Sequence, residues 1–368
     1  MDNDGSMGID GSVKADGSMD IDGTGPALPE ARGELSSAVL TWLTSGADPR
    51  GERPALPTAD QVRAADAYGE DLQLALYLCY ELHYRGFRGV AAALEWHPDL
   101  LALRALLEER FLTALRADVP AADGDTASDG DAASDRNAVE EAIGELLVEP
   151  VHGNGLSHFL EQEGELWQVR EYAAQRSLYH RKEADPHAWV LPRLWGKAKA
   201  GMAAVEFDEF GGGRAEQVHA ELFADLMKDL GLDPAYGRYL DAANAEVLAT
   251  VNLMSLFGLH RRLRGALVGH FASVEITSSP ASRRLAHAMK RTGAGAAAEF
   301  FYTEHVVADA VHEQVVRREV VDGLLEAEPH LAADVVFGIR ATTFVEGRFE
   351  RRLLDAWKSG AGSLRTSL

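Results

Sequence analysis

The stretch from Ala296 to Asp322 holds neither glycine nor proline. A run of that length without a backbone breaker is most readily one long helix, and the rest of the chain has to house it. At about 100° per residue, His305, Asp309 and His312 (i, i+4, i+7) fall within an arc of roughly 60° on one face. Val306, Val307, Ala310 and Val311 surround them with small apolar side chains, so the spacing predicts a buried helix with one polar stripe. Two imidazoles and a carboxylate converging inside a helix bundle suit a redox-active first-row metal. The competing reading is a solvated face that happens to carry two histidines.

The remaining sequence also reads as helices. Nothing between Glu34 and Arg116 alternates with period two, which argues against strands. Thr58 or Asp60 can cap a long helix reaching Leu82, and another runs from Pro98 to Arg116. Further helices are expected over 138–147, over 157–181 with Asp185-Pro186 as the stop, and from His187 to Phe210. The list continues with 214–230, 244–257, 261–276, 282–291, 296–328 and 329–358. Short connections between them imply antiparallel neighbours, and hence an all-α bundle.

Two acidic, small-residue segments interrupt this pattern. Residues 1–33 repeat Asp-Gly-Ser motifs and 118–136 hold six aspartates. Neither has the large apolar side chains needed to offset ordering entropy, so the first reads as a disordered tail and the second as a flexible linker. No window has the ligand pattern of a calcium loop. The expected organisation is a tail at 1–33, an accessory helical region at 34–117, the linker at 118–136, a core at 137–358 and a C-terminal tail at 359–368.

The formal charge of −22, from 36 basic and 58 acidic residues, argues against nucleic acid or an anionic membrane as a main partner. The single cysteine, Cys79, excludes an intrachain disulfide framework and fits a reducing cytoplasm. No apolar run approaches the length of a membrane span, so a soluble cytoplasmic protein is expected.

Other polar positions stand out beside the stripe. Glu216 and His219 have the i, i+3 spacing used inside dimetal bundles, whereas Glu209 closes the preceding segment before Gly211-Gly-Gly213. Helical phase does not decide between the two glutamates across that glycine run. Those glycines read as a turn, since no strand precedes them and no Lys-Ser/Thr follows. Glu275 sits among apolar and small residues, where an unpaired carboxylate is costly and calls for a cation. Glu183, in Lys182-Glu-Ala-Asp-Pro-His187, looks by itself like an ordinary residue at a helix end. Glu81-Leu-His83-Tyr-Arg85 reads as a buried salt bridge between helices. His260, His270 and His287 read as surface or satisfied core groups.

Six stretches taken together resemble a known family. They are Lys182–His187, Pro192-Arg-Leu-Trp-Gly196, Asp208-Glu-Phe-Gly-Gly-Gly-Arg214, Val218-His-Ala-Glu-Leu-Phe-Ala224, Gly269-His-Phe-Ala-Ser-Val-Glu275 and Tyr302–His312. The family is that of the haem-oxygenase-like diiron oxidases and oxygenases, whose bacterial members include iron-containing redox enzymes. Matched residue by residue, the resemblance implies a ligand set of Glu183, Glu209, His219, His305, Asp309 and His312. It adds Glu275 as the extra carboxylate of N-oxygenating members, and it favours Glu209 over Glu216. It also implies a haem-oxygenase-like bundle over residues 150–358, closest over 180–320, preceded by the accessory helices.

What the resemblance implies chemically is a pair of iron ions (manganese being the other fitting metal), O2 as co-substrate, a small-molecule substrate and an external reductant. N-oxygenation of an amine or amino-acid derivative is the leading expectation. The alternatives are oxidative C–C cleavage or desaturation of a fatty or amino acid at the same site, and a non-catalytic helical binding protein. A metal-free relative of thiaminase type would use a cysteine in place of the His/carboxylate set, and His83 is poorly placed to hold a haem. The N-terminal helices are the expected face of a homodimer.

Overall fold

A computed structural model of the chain describes residues 25–45, 53–119, 132–148 and 153–368. Four helices form its N-terminal part: α1 (Glu34–Thr44), α2 (Ala59–Ala64), α3 (Glu70–Glu81) and α4 (Pro98–Asp118). After α5 (Ala132–Leu147) and α6 (Leu156–Gln162) come α7 (Leu166–His180), the single turn α8 (Asp185–Ala188), α9 (Gly196–Glu209) and α10 (His219–Asp229). The chain continues through α11 (Ala245–Leu259), α12 (Arg264–Thr292), α13 (Ala296–Val315), α14 (Asp322–Ala327) and α15 (Ala332–Lys358). The described residues contain no β-strand, so the all-α fold expected from the sequence is the one observed.

Helix α12 is the axis of the molecule, packed along α13 on one side and α15 on the other. Its crossing with α15 is closer than ordinary side chains allow. A Cβ on Gly269 would lie 1.9 Å from the Val335 carbonyl oxygen, and one on Gly338 would lie 2.0 Å from that of Ala266. The two glycines therefore let the backbones touch, and the fixed crossing sets the position of Glu275 further along α12. Helix α13 does not stop at Val315 but passes through a π-helical turn, Val316–Val321, into α14. That turn packs against α9.

Several expected boundaries move. The helix anticipated from Thr58 to Leu82 is two, because Ala65–Gly69 form a turn in which the Asp66 carboxylate accepts from the Tyr68 amide and the Gln73 amide donates to the Ala67 carbonyl. Thr58 does cap α2, through a reciprocal pair with Gln61. The 157–181 helix breaks around Gly164, and Pro186 opens α8 instead of closing its predecessor, a first-turn position where its missing N–H is harmless. Pro280, by contrast, lies inside α12, which runs unbroken across both of the segments expected there.

The two tails shrink. Residues 1–24, with most of the Asp-Gly-Ser repeat, lie outside the described residues, as does 120–131 of the expected linker. Residues 25–33 are packed down: the Arg32 guanidinium is fully buried, donating to Glu70 at 2.6 Å and to the Leu240 carbonyl at 2.5 Å. At the other end Ser363 is buried, its amide and hydroxyl both donating to Glu171. Ionic and hydrogen-bonding contacts hold these ends, which a count of large apolar residues does not register. No helix among the described residues is long and apolar enough to cross a membrane.

The crossing yields a stability test. Gly269→Ala and Gly338→Ala should each lower the unfolding free energy by about 1–3 kcal/mol or more, as over-packing does. Gly144→Ala on α5, with nothing within 4 Å, should raise it by about 0.5–1 kcal/mol. Urea unfolding followed by circular dichroism measures all three; equal effects at the three positions would refute the tight crossing.

Candidate metal centre

Four helices and one turn bring the expected ligands together. Glu183 lies in the turn after α7, Glu209 is the last residue of α9, and His219 is the first of α10. Glu275 projects from α12, and α13 supplies His305, Asp309 and His312. None of the seven is more than 7% exposed. The sharp return from Glu209 to His219 depends on Gly211–Gly213, all at positive φ. A Cβ on Gly211 would also come within 2.6 Å of the Val218 amide.

The donor atoms form two groups, Glu183–Glu209–His219–His305 and Glu209–Asp309–His312, each with its ligand atoms within 4.8 Å of one another. Glu209 belongs to both. Its Oε2 lies 2.7 Å from His219 Nδ1 and its Oε1 3.7 Å from His312 Nδ1, so one carboxylate offers an oxygen to each group. Glu275 Oε2 stands 3.2 Å from His312 Nδ1, beside the second group.

Hydrogen bonding among these residues is incomplete. Glu183 Oε2, His219 Nδ1, His305 Nε2 and Asp309 Oδ2 are buried without a partner. The short His219–Glu209 contact does not have hydrogen-bond geometry, as when two donors face one cation. Leaving four polar atoms buried and unpaired costs several kcal/mol in sum. A void of about 20 Å³, lined by Glu183, Glu209, Glu275, His305 and Asp309, lies between them. Metal ions placed within the two groups satisfy these atoms, and three imidazoles with four carboxylates are a donor set suited to iron or manganese.

The imidazoles are oriented from behind. His305 Nδ1 donates to the Phe301 carbonyl at 2.7 Å, which turns Nε2 toward Glu183, 3.8 Å away. His312 Nε2 faces Asp208 Oδ2 at 3.4 Å, leaving Nδ1 for the carboxylates. Backing of this kind is how ligating histidines are held. Electrostatics match the geometry. Burial disfavours charge on both rings, yet Glu183 beside His305 and Asp309 and Glu275 beside His312 push the two up to about 10 and about 11. Burial likewise raises Glu275, to about 7, against the opposing pull of His312. Burial would raise Glu183 too, but His180 and His305 hold it well below the usual carboxylate range.

Glu216 is not part of the centre. The chain between Gly213 and His219 forms a 3-10 turn, Ala215–Gln217, rather than the first turn of α10, so the i, i+3 spacing does not place the two on one face and Glu216 is exposed. Glu81 does form a buried salt bridge, with Lys182 at 2.9 Å. His260 and His287 pair with Glu108 and Glu161. His270 is a satisfied core group, meeting His187 at 3.0 Å and the Thr342 hydroxyl at 2.8 Å.

Three residues were not picked out from the sequence. His180 Nδ1 contacts Glu183 at 2.8 Å, and Asp208 supports His312. Glu206, one turn before Glu209, is buried with neither oxygen paired. Burial, with Glu209, Glu275 and Asp185 nearby, pushes its carboxyl up to about 9, so it is a neutral acid near neutrality. The i, i+3 relations of His180 to Glu183 and Glu206 to Glu209 were the signals available.

Residues 170–347, a span that contains all seven positions, match the iron-containing redox enzyme family. This segment belongs to that family. The chain is also 25% identical over 158 residues to nitrosourea synthase of Streptomyces achromogenes subsp. streptozoticus, an alignment covering 43% of this chain and 34% of that protein. The chain thus spans about a third of the length of the curated relative it matches. The all-α bundle is haem-oxygenase-like, and its matched segment is of the iron-containing redox enzyme type.

Two substitutions separate the glutamates. Glu209→Ala removes a carboxylate common to both groups and should abolish binding of both metal ions, whereas Glu216→Ala should leave metal content unchanged; iron analysis of the purified variants decides. Glu275→Gln keeps the volume, removes one buried charge, and should leave the apo protein at least as stable while weakening the metal held by Asp309 and His312. Arg264 is taken by Glu328 and does not serve as the partner of Glu275. Unfolding of the metal-free Gln variant would show that Glu275 has a structural role instead.

Proposed function

We propose that the protein is a non-haem diiron enzyme that uses O2 to oxidise a small metabolite, with N-oxygenation of an amine or amino-acid derivative as its reaction. The observation that carries this reading is the shared Glu209, which offers one carboxylate oxygen to each of the two donor groups. The bound pair of irons would supply reductive activation of O2, with electrons from an external donor. The residues of the chain do the rest: Glu183, Glu209 and His219 with the α13 stripe hold the metal, Phe301 and Asp208 fix the imidazole faces, and burial of all seven side chains between the helices keeps bulk water out.

A cavity of about 580 Å³ leads to this centre and is lined at its inner end by His180, Glu183 and His305. That volume suits a metabolite-sized ligand. Tyr302 lines the same cavity with a buried hydroxyl that has no partner, a hydrogen bond left for the substrate. Its walls carry Arg176 paired with Glu346, together with Arg284 and Glu350. These charged groups sit in a largely apolar wall that includes Leu156, Met254, Leu285 and Phe301. The likeness to nitrosourea synthase supports oxidation at nitrogen. A homodimer through the N-terminal helices remains part of the proposal.

Anaerobic titration should show about two ferrous ions per chain. Exposure of that form to O2 with a panel of small amines should consume O2 and give products heavier by one or more oxygen atoms by mass spectrometry. One iron per chain, or O2 consumption that no amine alters, would count against the proposal. Tyr302→Phe should raise KM for the true substrate about fivefold or more, as loss of one hydrogen bond does, without changing iron content.

A further inference from the structure

The turn that aims Glu183 is held from outside the family-matched segment. Lys182, the residue before this ligand, is 2% exposed. Its ammonium donates to Glu81 Oε2 at 2.9 Å and lies 4.3 Å from the centre of the Tyr84 ring and 4.9 Å from that of Tyr77. All three partners belong to α3 or the turn just after it. Glu81, itself 0% exposed, is fixed in turn by the Tyr236 hydroxyl, which donates to Oε1 at 2.6 Å. A buried ammonium with one carboxylate and two aromatic faces has a single place to sit.

Arg181 is tied in another direction, donating to the carbonyls of Pro234 (3.0 Å) and Ala220, the second residue of α10. On the other side of the ligand, Ala184 has φ 72° and ψ −34°, and among the described residues it is the only non-glycine at positive φ. Backbone in that region persists only where the surroundings over-determine it. Two anchored cations on one side and a strained alanine on the other leave Glu183 little freedom of direction.

We propose that Glu81 is a positioning residue for the metal centre: acting through the caged Lys182 ammonium, it makes helix α3 of the N-terminal region part of the apparatus that presents Glu183 to the metal. The inference rests on Glu183 being a metal ligand. Removing the Glu81 charge frees the Lys182 side chain from its cage, the turn relaxes about Ala184, and the Glu183 carboxylate loses its fixed approach to His219 and His305. The second donor group, Glu209 with Asp309 and His312, has no contact with this cage and should keep its metal.

The test is anaerobic ferrous titration by calorimetry on the full chain, with thermal unfolding of the same samples in the absence of metal. Glu81→Gln should weaken one of the two iron sites about 10- to 100-fold, the range seen when groups that orient a ligand are lost, and leave the other unchanged. Because the single variant strands a buried ammonium, the double variant Glu81→Leu/Lys182→Met is the decisive one: an apolar pair of similar volume restores stability but not the anchor. Recovery of the melting temperature with one iron site still weakened supports the proposal. Wild-type affinity at both sites in Glu81→Gln, or recovery of iron affinity along with stability in the double variant, overturns it. If the wild-type chain itself binds no iron, the metal-centre reading fails instead, and the two failures are told apart.

Discussion

Charge placed out of reach of water is the constraint around which this protein is built. Four carboxylates and three imidazoles sit within a bundle whose other interior positions are mostly apolar. Helix packing alone does not make that arrangement favourable, because each ionised group gives up its hydration. Mutual pairing repays part of the cost, as the raised imidazoles and the lowered Glu183 show. The unpaired atoms that remain mark where pairing runs out and where a cation would complete it. A metal ion bound there would be as much a component of the fold as of the chemistry, in the sense that binding and stability are linked.

The stripe on α13 was legible because a helix converts spacing directly into direction. Three residues at i, i+4 and i+7 face one way whatever surrounds them, and all three point into the centre. Glu209 and Glu216 could not be separated by the same reasoning. Three glycines at positive φ lie between Glu209 and His219, and helical phase is lost across them. Resemblance to the family selected Glu209, the glutamate that is buried beside His219. Pro280 misled for a related reason: local rules give it a strong tendency to break a helix, but α12 is embedded between α13 and α15. The Ser279 hydroxyl even reaches across to the Val306 carbonyl of α13. Tertiary contacts outweighed a local penalty of a few kcal/mol.

The N-terminal helices read from the sequence as an appendage with no ligand motif, and their described residues contribute to neither donor group. Their part in the molecule is mechanical. Helix α3 packs along α11, and it closes over the turn bearing Glu183 with a carboxylate and two tyrosine rings. The extended segment 25–33 then locks α3 to the Leu240–Asp241 region through Arg32 and the Glu30 amide. None of these links has a short sequence signature, since each joins residues far apart in the chain.

The π-helical turn after α13 bears on how relatives of this chain should be compared. Each π-type turn holds about one residue more than its α-helical equivalent, so side chains after Val321 are rotated relative to the ligand stripe. The wide turn lets Val316 and Val320 be buried where this segment meets α9, while His305, Asp309 and His312 stay directed at the buried carboxylates. A relative that lacks the extra residue would keep the same ligands and present a different face of the helix to α9. Along this helix, shared ligand spacing and shared packing are therefore separable properties, and a one-residue gap near 316–321 in an alignment marks a change of helical phase rather than the loss of the site.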